Sequence, residues 1–228
     1  MALCTTGLAM AQQSGLTPLE SGAGPMPPEP WRVIGLPKRF PLTGFDVVDV
    51  AGERALRIRT EGSYGNLVHA WQGPARIVQW RWRLERPLAA ADLRSKQGDD
   101  VALKVCLLFD LPLSALPFGE RASLTLARAV SGEALPAATL CYVWDNRLAV
   151  GTLLPNAYSE RVRYMVVSSG PPVTGWQSHR RDVAADFSLA FGHESAQVPP
   201  LSAVAVGGDA DNTQGSSLGW VTGLSVSP

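Results

Sequence analysis

The sequence has no excess of charge of either sign. Lys and Arg together number 20, as do Asp and Glu, in a chain of 228 residues. A balanced surface creates no long-range field that would attract nucleic acid or anionic lipid, so a nucleic-acid partner is not expected. Charged residues are also scarce, at 18%, whereas Gly (22) and Pro (18) are plentiful. This composition favours many short strands joined by turns over long surface helices.

The sequence also lacks an apolar run long enough to cross a bilayer, so an integral membrane protein is not expected. Residues 1–11 contain a short apolar run that ends in Ala9-Met10-Ala11, the small-residue pattern that signal peptidase requires. No Lys or Arg precedes the run, so either the true start lies upstream or the resemblance to a signal peptide is coincidental. We expect a periplasmic or secreted protein in which a Pro/Gly-rich linker (12–30) leads to one domain (31–228).

Cysteine is scarce, and one of the three cysteines lies in the leader. Loss of the leader would leave Cys106 and Cys141. In an oxidising compartment these thiols would pair, whereas in the cytosol they would be two small buried side chains. They are close enough to bridge if they lie in register on neighbouring strands.

The clearest pattern along the chain is alternation of apolar and polar residues. In IVQWRWRLERP, for example, Val78, Trp80, Trp82 and Leu84 fall on one side of a strand, with polar residues on the other. The same pattern appears in VALKVCLLFDLP and TLCYVWD. Further strands are predicted at RALRIRT, RVRYMVVSS, LSAVAVGG and GWVTGLSVS, which gives at least seven.

One short helix is predicted near 182–191, in RDVAADFSLAFG. Asp182 suits the N-cap, Val183, Phe187 and Phe191 recur every four residues, and Gly192 follows as a stop signal. Many strands with one helix and no strand–helix alternation indicate an all-β protein. We therefore predict a two-sheet antiparallel β-sandwich of jelly-roll type.

Six separated motifs resemble, in the same order, a bacterial family of exported proteins of unknown function. They are WRWRLERP, KQGDDVALKVCLLFD, YVWDNRL, PNAYSERVRYMVVSSG, RRDVAADFSLAFG and VAVGGDADNTQGSSLGW. The resemblance extends from about Trp31 to the C-terminus. It implies an envelope location and a β-sandwich similar to galactose-binding-like and other carbohydrate-binding modules.

The motifs for catalysis are weak. The run from Gly215 to Gly219 satisfies the spacing of a serine-nucleophile turn, but a strand rather than a helix follows Ser217, and no acid or histidine comes later in the chain. His69, His179 and His193 are far apart, so a zinc site would need the fold to bring them together. The paired acids Asp99 and Asp100 are either a polar turn or, as an alternative, catalytic carboxylates.

The loop GGDADNTQ is a candidate calcium site. Asp209, Asp211 and Asn212 would supply the hard oxygen ligands that calcium prefers, and jelly-roll binding modules often carry a structural calcium near the chain end. The spacing excludes an EF-hand. The alternative is an Asx-rich turn, which these residue types also favour.

A polar sheet face is the candidate ligand site. If the strands around Trp80, Val105 and Tyr142 share one sheet, their aromatic side chains form the core. The opposite face would then gather a set of charged residues, bordered by a loop with Asn156 and Tyr158. The predicted ligand-binding residues are Arg81, Arg83, Lys104, Asp110, Asp145 and Tyr158. The alternative is a solvated face with cross-strand charge pairs.

Three functions are compatible with these patterns. The first is a non-catalytic envelope module that binds a glycan or another envelope polymer on the charged face. The second is a polysaccharide hydrolase or lyase that uses Asp99, Asp100 or Asp110. The third is a structural or assembly factor that binds another protein.

Overall fold

The alternating segments form two β-sheets in the computed structural model, which describes residues 15–22, 24–36, 38–131, 135–172 and 175–228. The strands, in chain order, are β1 (Arg32–Ile34), β2 (Gly44–Val50), β3 (Glu53–Glu61), β4 (Tyr64–Gly73), β5 (Ile77–Arg86), β6 (Lys104–Phe109), β7 (Ala138–Asp145), β8 (Leu153–Asn156), β9 (Ser159–Ser169), β10 (Gln177–Asp182), β11 (Leu201–Asp209) and β12 (Ser216–Ser227). Helix α1 covers Phe118–Ser131 and helix α2 covers Val183–Phe191.

The two sheets pack face to face as the predicted β-sandwich. One has seven strands in the order β1-β4-β11-β6-β7-β9-β8, and the other has five in the order β10-β5-β12-β3-β2. Neighbouring strands are antiparallel except β7 and β9, which run parallel. The sandwich prediction is confirmed, with this parallel pair as a departure from a purely antiparallel arrangement.

The core lies between the sheets and is rich in aromatic side chains. Trp80 and Trp82 of β5 point at Tyr142 and Trp144 of β7, with ring centroids 5.1 Å apart for Trp80–Tyr142 and 6.1 Å apart for Trp82–Trp144. All four side chains are buried. Their prediction as core residues is confirmed, because β5 and β7 turn their apolar sides towards each other.

The assumption that these strands share one sheet is wrong. Strand β5 belongs to the five-stranded sheet, whereas β6 and β7 belong to the seven-stranded sheet. Alternation along a strand shows which side is apolar, but it does not show the sheet to which the strand belongs. The polar sides of β5 and β6 therefore lie on opposite outer faces of the sandwich.

Helix α2 begins and ends where the sequence predicts. The Asp182 carboxylate accepts hydrogen bonds from the backbone N–H groups of Ala184 and Ala185, both at 3.0 Å. Phe187 packs against Phe109 of β6, with ring centroids 4.7 Å apart. The helix thus closes one end of the core.

Helix α1 is a second helix that the sequence prediction missed. Leu124 is buried on its inner side, whereas Phe118 and Leu126 are largely exposed. The segment FGERASLTLARAVS is amphipathic at the helical period, although Phe118 and Leu126 add apolar surface on the solvent side. No helix among the described residues is both long enough and apolar enough to span a membrane.

The described part of the predicted linker 12–30 lies against the domain. Leu19 is fully buried in the core. The Trp31 indole donates a hydrogen bond to the Thr17 carbonyl at 2.8 Å, and the Arg54 guanidinium donates to the carbonyls of Glu20 and Gly22. The predicted leader, residues 1–11, lies outside the described residues.

Candidate functional site

A groove of about 880 Å³ crosses the outer face of the seven-stranded sheet. Its floor is formed by the outward side chains of β4, β11, β6, β7 and β9. One wall comes from α1 and the segment after it, including Leu124 and Leu135, and the other from Ile34, Leu36 and Phe40. Ligand sites in proteins are commonly concave and about 300–1,000 Å³ in volume, so the groove has the size of a small-molecule site.

A buried ion pair lies at one end of the groove. The Lys104 ammonium of β6 is 3.0 Å from the Asp209 carboxylate at the end of β11, and the other carboxylate oxygen accepts a hydrogen bond from the Val101 N–H at 3.0 Å. Burial works to lower the pKa of Lys104, but the Asp209 charge keeps the pKa above its usual value. Lys104 is therefore a fixed positive charge.

The glycines before Asp209 allow this close packing. A Cβ atom at Gly208 would lie 2.7 Å from the Ala102 carbonyl oxygen, and one at Gly207 would lie 2.8 Å from the Gly65 carbonyl oxygen. Larger residues at either position would push β11 away from its neighbours. The GGD run therefore brings the Asp209 carboxylate to Lys104.

Asp99 is a buried carboxylate beside this ion pair, with 4% of its surface exposed. One of its oxygens accepts a hydrogen bond from the Asn156 amide, which also donates to the Tyr164 hydroxyl at 2.9 Å. The other oxygen, Oδ1, has no hydrogen-bond partner among the described residues. Burial, and then the negative charge of Asp209, raises the pKa of Asp99 to about 6.

Asp211 is a second carboxylate of this kind. Its Oδ1 is buried and also has no hydrogen-bond partner in the described part of the chain. Burial raises the pKa of Asp211 to about 6, with further contributions from the charges of Asp209 and Asp100. Asp99 and Asp211 both line the groove, at the end that holds Lys104. We call this end, defined by Asp99, Lys104, Asp209 and Asp211, the acidic end.

The residues of the predicted calcium site make contacts within the chain. Asp209 binds Lys104. The Asn212 amide donates to the Asp99 carbonyl at 3.1 Å, and its oxygen accepts from the Tyr158 hydroxyl at 2.8 Å. Within the described ranges, no three His, Cys, Asp or Glu side chains are arranged to hold a metal ion. These contacts are those of an Asx-rich turn, and calcium binding stays a prediction.

Arg81 and Arg83 lie on the five-stranded sheet, away from the groove. The Arg81 guanidinium forms a two-pronged ion pair with Glu53, and the Arg83 guanidinium lies over the Trp220 ring, 5.6 Å from its centroid. Lys104 and Tyr158 line the groove. The predicted set of charged residues is thus divided between two faces because β5 belongs to the other sheet.

Asp110 and Asp145 also lie outside the groove lining. Asp110 is exposed just beyond the end of β6, about 20 Å along the strand from Lys104 at the usual rise per residue. Asp145 is buried at the end of β7, where its carboxylate accepts hydrogen bonds from the N–H groups of Arg147 and Leu148 at 2.7 and 2.5 Å. Its role is to hold the turn after β7.

The acids named for a hydrolase are not brought together either. Asp99 lines the groove, and Asp110 is remote from it. The Asp100 carboxylate accepts hydrogen bonds from the N–H groups of Asn212 and Thr213 at 3.1 and 2.6 Å and from the Thr213 hydroxyl. Asp100 therefore fastens the 211–214 turn to the chain before β6.

Of the serine and histidine candidates, Ser217 and His69 are buried, whereas His193 is exposed. Ser217 is buried in β12, where its hydroxyl contacts that of Thr60 at 2.8 Å. Ser168 and His179 form a close pair, with Ser168 Oγ 3.1 Å from His179 Nε2. Ser168 is also buried and accepts a hydrogen bond from the Trp82 indole, so it is unavailable to a substrate.

Several groove residues carried no signal in the sequence. Tyr64 and Asn66 of β4 and Tyr164 of β9 point outward next to the acidic end. Each of these three is an ordinary strand position, and only the pairing of distant strands places it in the groove. The Cys106–Cys141 disulfide, which the sequence left open, joins β6 and β7 in register and lies in the floor.

Fold and site together define a β-sandwich with a ligand-sized groove across one sheet. The chain belongs to the family described as protein of unknown function (DUF3047), whose model matches residues 29–225. The predicted membership in an exported family of unknown function is thereby confirmed as to family. A comparison with curated proteins finds no significant match.

Two solved structures are similar to this chain over most of its length. One is TmCBM61 in complex with β-1,4-galactotriose, with 13% identity, a TM-score of 0.34, and coverage of 87% of this chain and 88% of that one. The other is the xyloglucanase domain of NopAA, a type three effector from Sinorhizobium fredii, in complex with cellobiose. It has 9% identity, a TM-score of 0.43, and coverage of 87% and 97%. At these scores the likeness does not bear on the ligand of this chain.

Proposed function

We propose that this protein is a non-catalytic, exported binding module that holds a glycan, or a similar hydroxyl-rich ligand, at the acidic end of the groove. The observation that carries the proposal is the pair of unpartnered, buried carboxylate oxygens, Asp99 Oδ1 and Asp211 Oδ1. A buried acceptor without a donor costs about 1–3 kcal/mol, and more when charged. Ligand hydroxyl groups would supply the missing donors.

The neighbouring groups suit the same ligand. Asn66 and Tyr158 line the groove beside the two carboxylates, and the Tyr158 ring is 59% exposed. Amide and phenol groups both donate and accept hydrogen bonds, which matches the chemistry of sugar hydroxyls. An exposed aromatic ring also offers an apolar surface for the C–H face of a sugar.

Export is part of the proposal. The disulfide between Cys106 and Cys141 supports it, because structural disulfides form and persist in oxidising compartments such as the periplasm. The signal-peptide-like pattern at residues 1–11 points the same way.

Calorimetric titration of a panel of envelope oligosaccharides tests the binding function. We expect Asp99→Asn to weaken binding by about 10-fold or more, because a ligand hydroxyl loses a charged acceptor. Arg83→Gln is the control, since this side chain lies on the opposite face. Absence of binding to every glycan, or loss of binding in Arg83→Gln with Asp99→Asn unaffected, would contradict the proposal.

A second candidate function is glycoside hydrolysis, and one observation favours it. Asp99 and Asp211 line one groove as a pair of carboxyl groups, and the raised pKa of each, about 6, suits a general acid, whose partner would be ionised. Turnover of polysaccharides that is lost in both Asp99→Asn and Asp211→Asn would establish this function in place of simple binding.

A further inference from the structure

The floor of the groove is a row of apolar side chains beyond the acidic end. Val68, Ala205, Cys106 and Cys141 are successive register partners across β4, β11, β6 and β7. All four are buried and belong to a hydrophobic cluster separate from the main core. The solvent side of a sheet is usually polar. These residues lie at the bottom of the groove, where an apolar row offers a site for an apolar group of a ligand.

Strand β6 runs from the polar part of the groove to the apolar part. Lys104, Cys106 and Leu108 are its outward residues, and all three line the groove. Since alternate residues of a strand lie about 7 Å apart, the side chains that β6 contributes change from charged to apolar within about 14 Å. Leu36 and Leu124 also line the groove, together with polar residues that include Thr139 and Glu120.

The strands of the floor are hydrogen-bonded to their neighbours along the backbone, which limits the kinds of ligand that fit. Strands β11, β6 and β7 are internal, with hydrogen-bonded neighbours on both sides. A peptide therefore cannot add to them as a further strand. Above Cys106 and Leu108, a peptide would leave its own polar groups unpaired. An aliphatic chain has no such groups to satisfy.

We propose that the ligand is a glycoconjugate with an aliphatic chain, with its sugar at the acidic end and its chain along the disulfide floor. This inference rests on the proposed glycan-binding function and names the class of glycan. A single groove then accounts for both the unpartnered carboxylate oxygens and the apolar row beside them.

Alkyl glycosides of increasing chain length provide the test. Methyl, hexyl and octyl β-glucosides and β-galactosides are titrated below their micelle concentrations. We expect affinity to increase by up to about fourfold for each methylene that the floor buries, at about 0.8 kcal/mol each. Asp99→Asn should weaken all members of a binding series by a similar factor.

Two variants test where the aliphatic chain of the ligand binds. Ala205→Phe fills the floor and should abolish the gain with chain length while leaving the methyl glycoside unaffected. Leu36→Asp should reduce the gain, and it changes a half-exposed wall residue, so the fold should tolerate it. Ala184→Phe adds the same bulk on the exposed side of α2 and is the control.

The outcomes separate this inference from the proposed function. If glycans bind in an Asp99-dependent manner but affinity does not depend on chain length, the inference is wrong and glycan binding stands. If affinity still increases with chain length in both Ala205→Phe and Leu36→Asp, the aliphatic chain binds elsewhere, and the inference is again wrong. If no glycan and no glycoside binds, both proposals fall.

Discussion

At the scale of single residues, the buried carboxylate of Asp99 lowers the stability of the folded protein. The carboxylate is almost fully buried, and its Oδ1 has no donor within the described ranges. Replacement by Asn keeps the shape and removes the charge. We expect Asp99→Asn to stabilise the ligand-free protein at neutral pH by about 1–3 kcal/mol, the upper figure corresponding to a pKa shift of about two units.

The pH dependence of this effect has a definite sign. The folded pKa of Asp99, about 6, is above its ordinary value of 3.8, so the folded state binds more protons between these values. The contribution of Asp99 to the free energy of unfolding is therefore fully present below about pH 4. It is lost as pH rises through about 6. Urea denaturation at pH 4 and pH 8 should show that Asp99→Asn stabilises only at the higher pH. Asp49→Asn, which removes an exposed carboxylate from β2, should show no such difference.

The sequence predicted the polar residues of the site better than their partners. The prediction included Lys104, Tyr158, Asp209 and Asp211, all of which line the groove. It did not foresee that Lys104 binds Asp209, 105 positions away. Such pairs arise from strand neighbours distant in the chain, and a single sequence holds no record of them.

At the scale of elements, a buried ion network joins α1 to the seven-stranded sheet. Glu194 binds Arg161 and Arg163 of β9, and Arg161 also binds Glu120 of α1 at 2.6 Å. Burial works to raise the pKa of Glu194, but Arg161 and Arg163 together hold it below its usual value. The network therefore contributes to the position of the groove wall.

Glu194→Gln should destabilise the protein by about 3–5 kcal/mol, because it removes the carboxylate that Arg163 binds and one of the two that the buried Arg161 binds. Glu120→Gln should cost less than about 1 kcal/mol, since Glu120 is more exposed and Arg161 retains Glu194. Thermal denaturation of both variants measures the difference. Equal losses in the two variants would contradict this account.

Strand β5 and helix α1 show which properties of the elements were predicted from the sequence and which were not. Strand β5 was identified because alternation is a local property of the sequence. Its place in the five-stranded sheet depends on pairing with β12, more than 130 residues later. Helix α1 was missed although its local signal is present, because FGERASLTLARAVS is amphipathic and rich in residues that favour helices. The prediction followed the two-residue period of the strands and did not test this segment for the helical period.

At the scale of the whole molecule, the disulfide closes a loop of 35 residues between β6 and β7. Chain-entropy arguments assign such a loop about 4 kcal/mol of stabilisation. The variant with both Cys106→Ala and Cys141→Ala should therefore unfold more easily by about 2–4 kcal/mol in urea.

A thiol titration checks the bridge itself. The full chain, denatured without reductant, should show one reactive thiol, Cys4, and all three cysteines after reduction. In protein recovered from an oxidising compartment without its leader, and so without Cys4, two reactive thiols before reduction would refute the bridge.

The location of the tryptophans has a practical consequence for spectroscopy. All seven lie in the described part of the chain, and none lines the groove, where the aromatic residues are Phe40, Tyr64, Tyr158 and Tyr164. Trp80, Trp82 and Trp144 lie in the core between the two sheets, so their emission reports the separation of the sheets on unfolding. A melting curve followed by this emission measures unfolding, and its shift with ligand concentration gives the binding free energy by linkage.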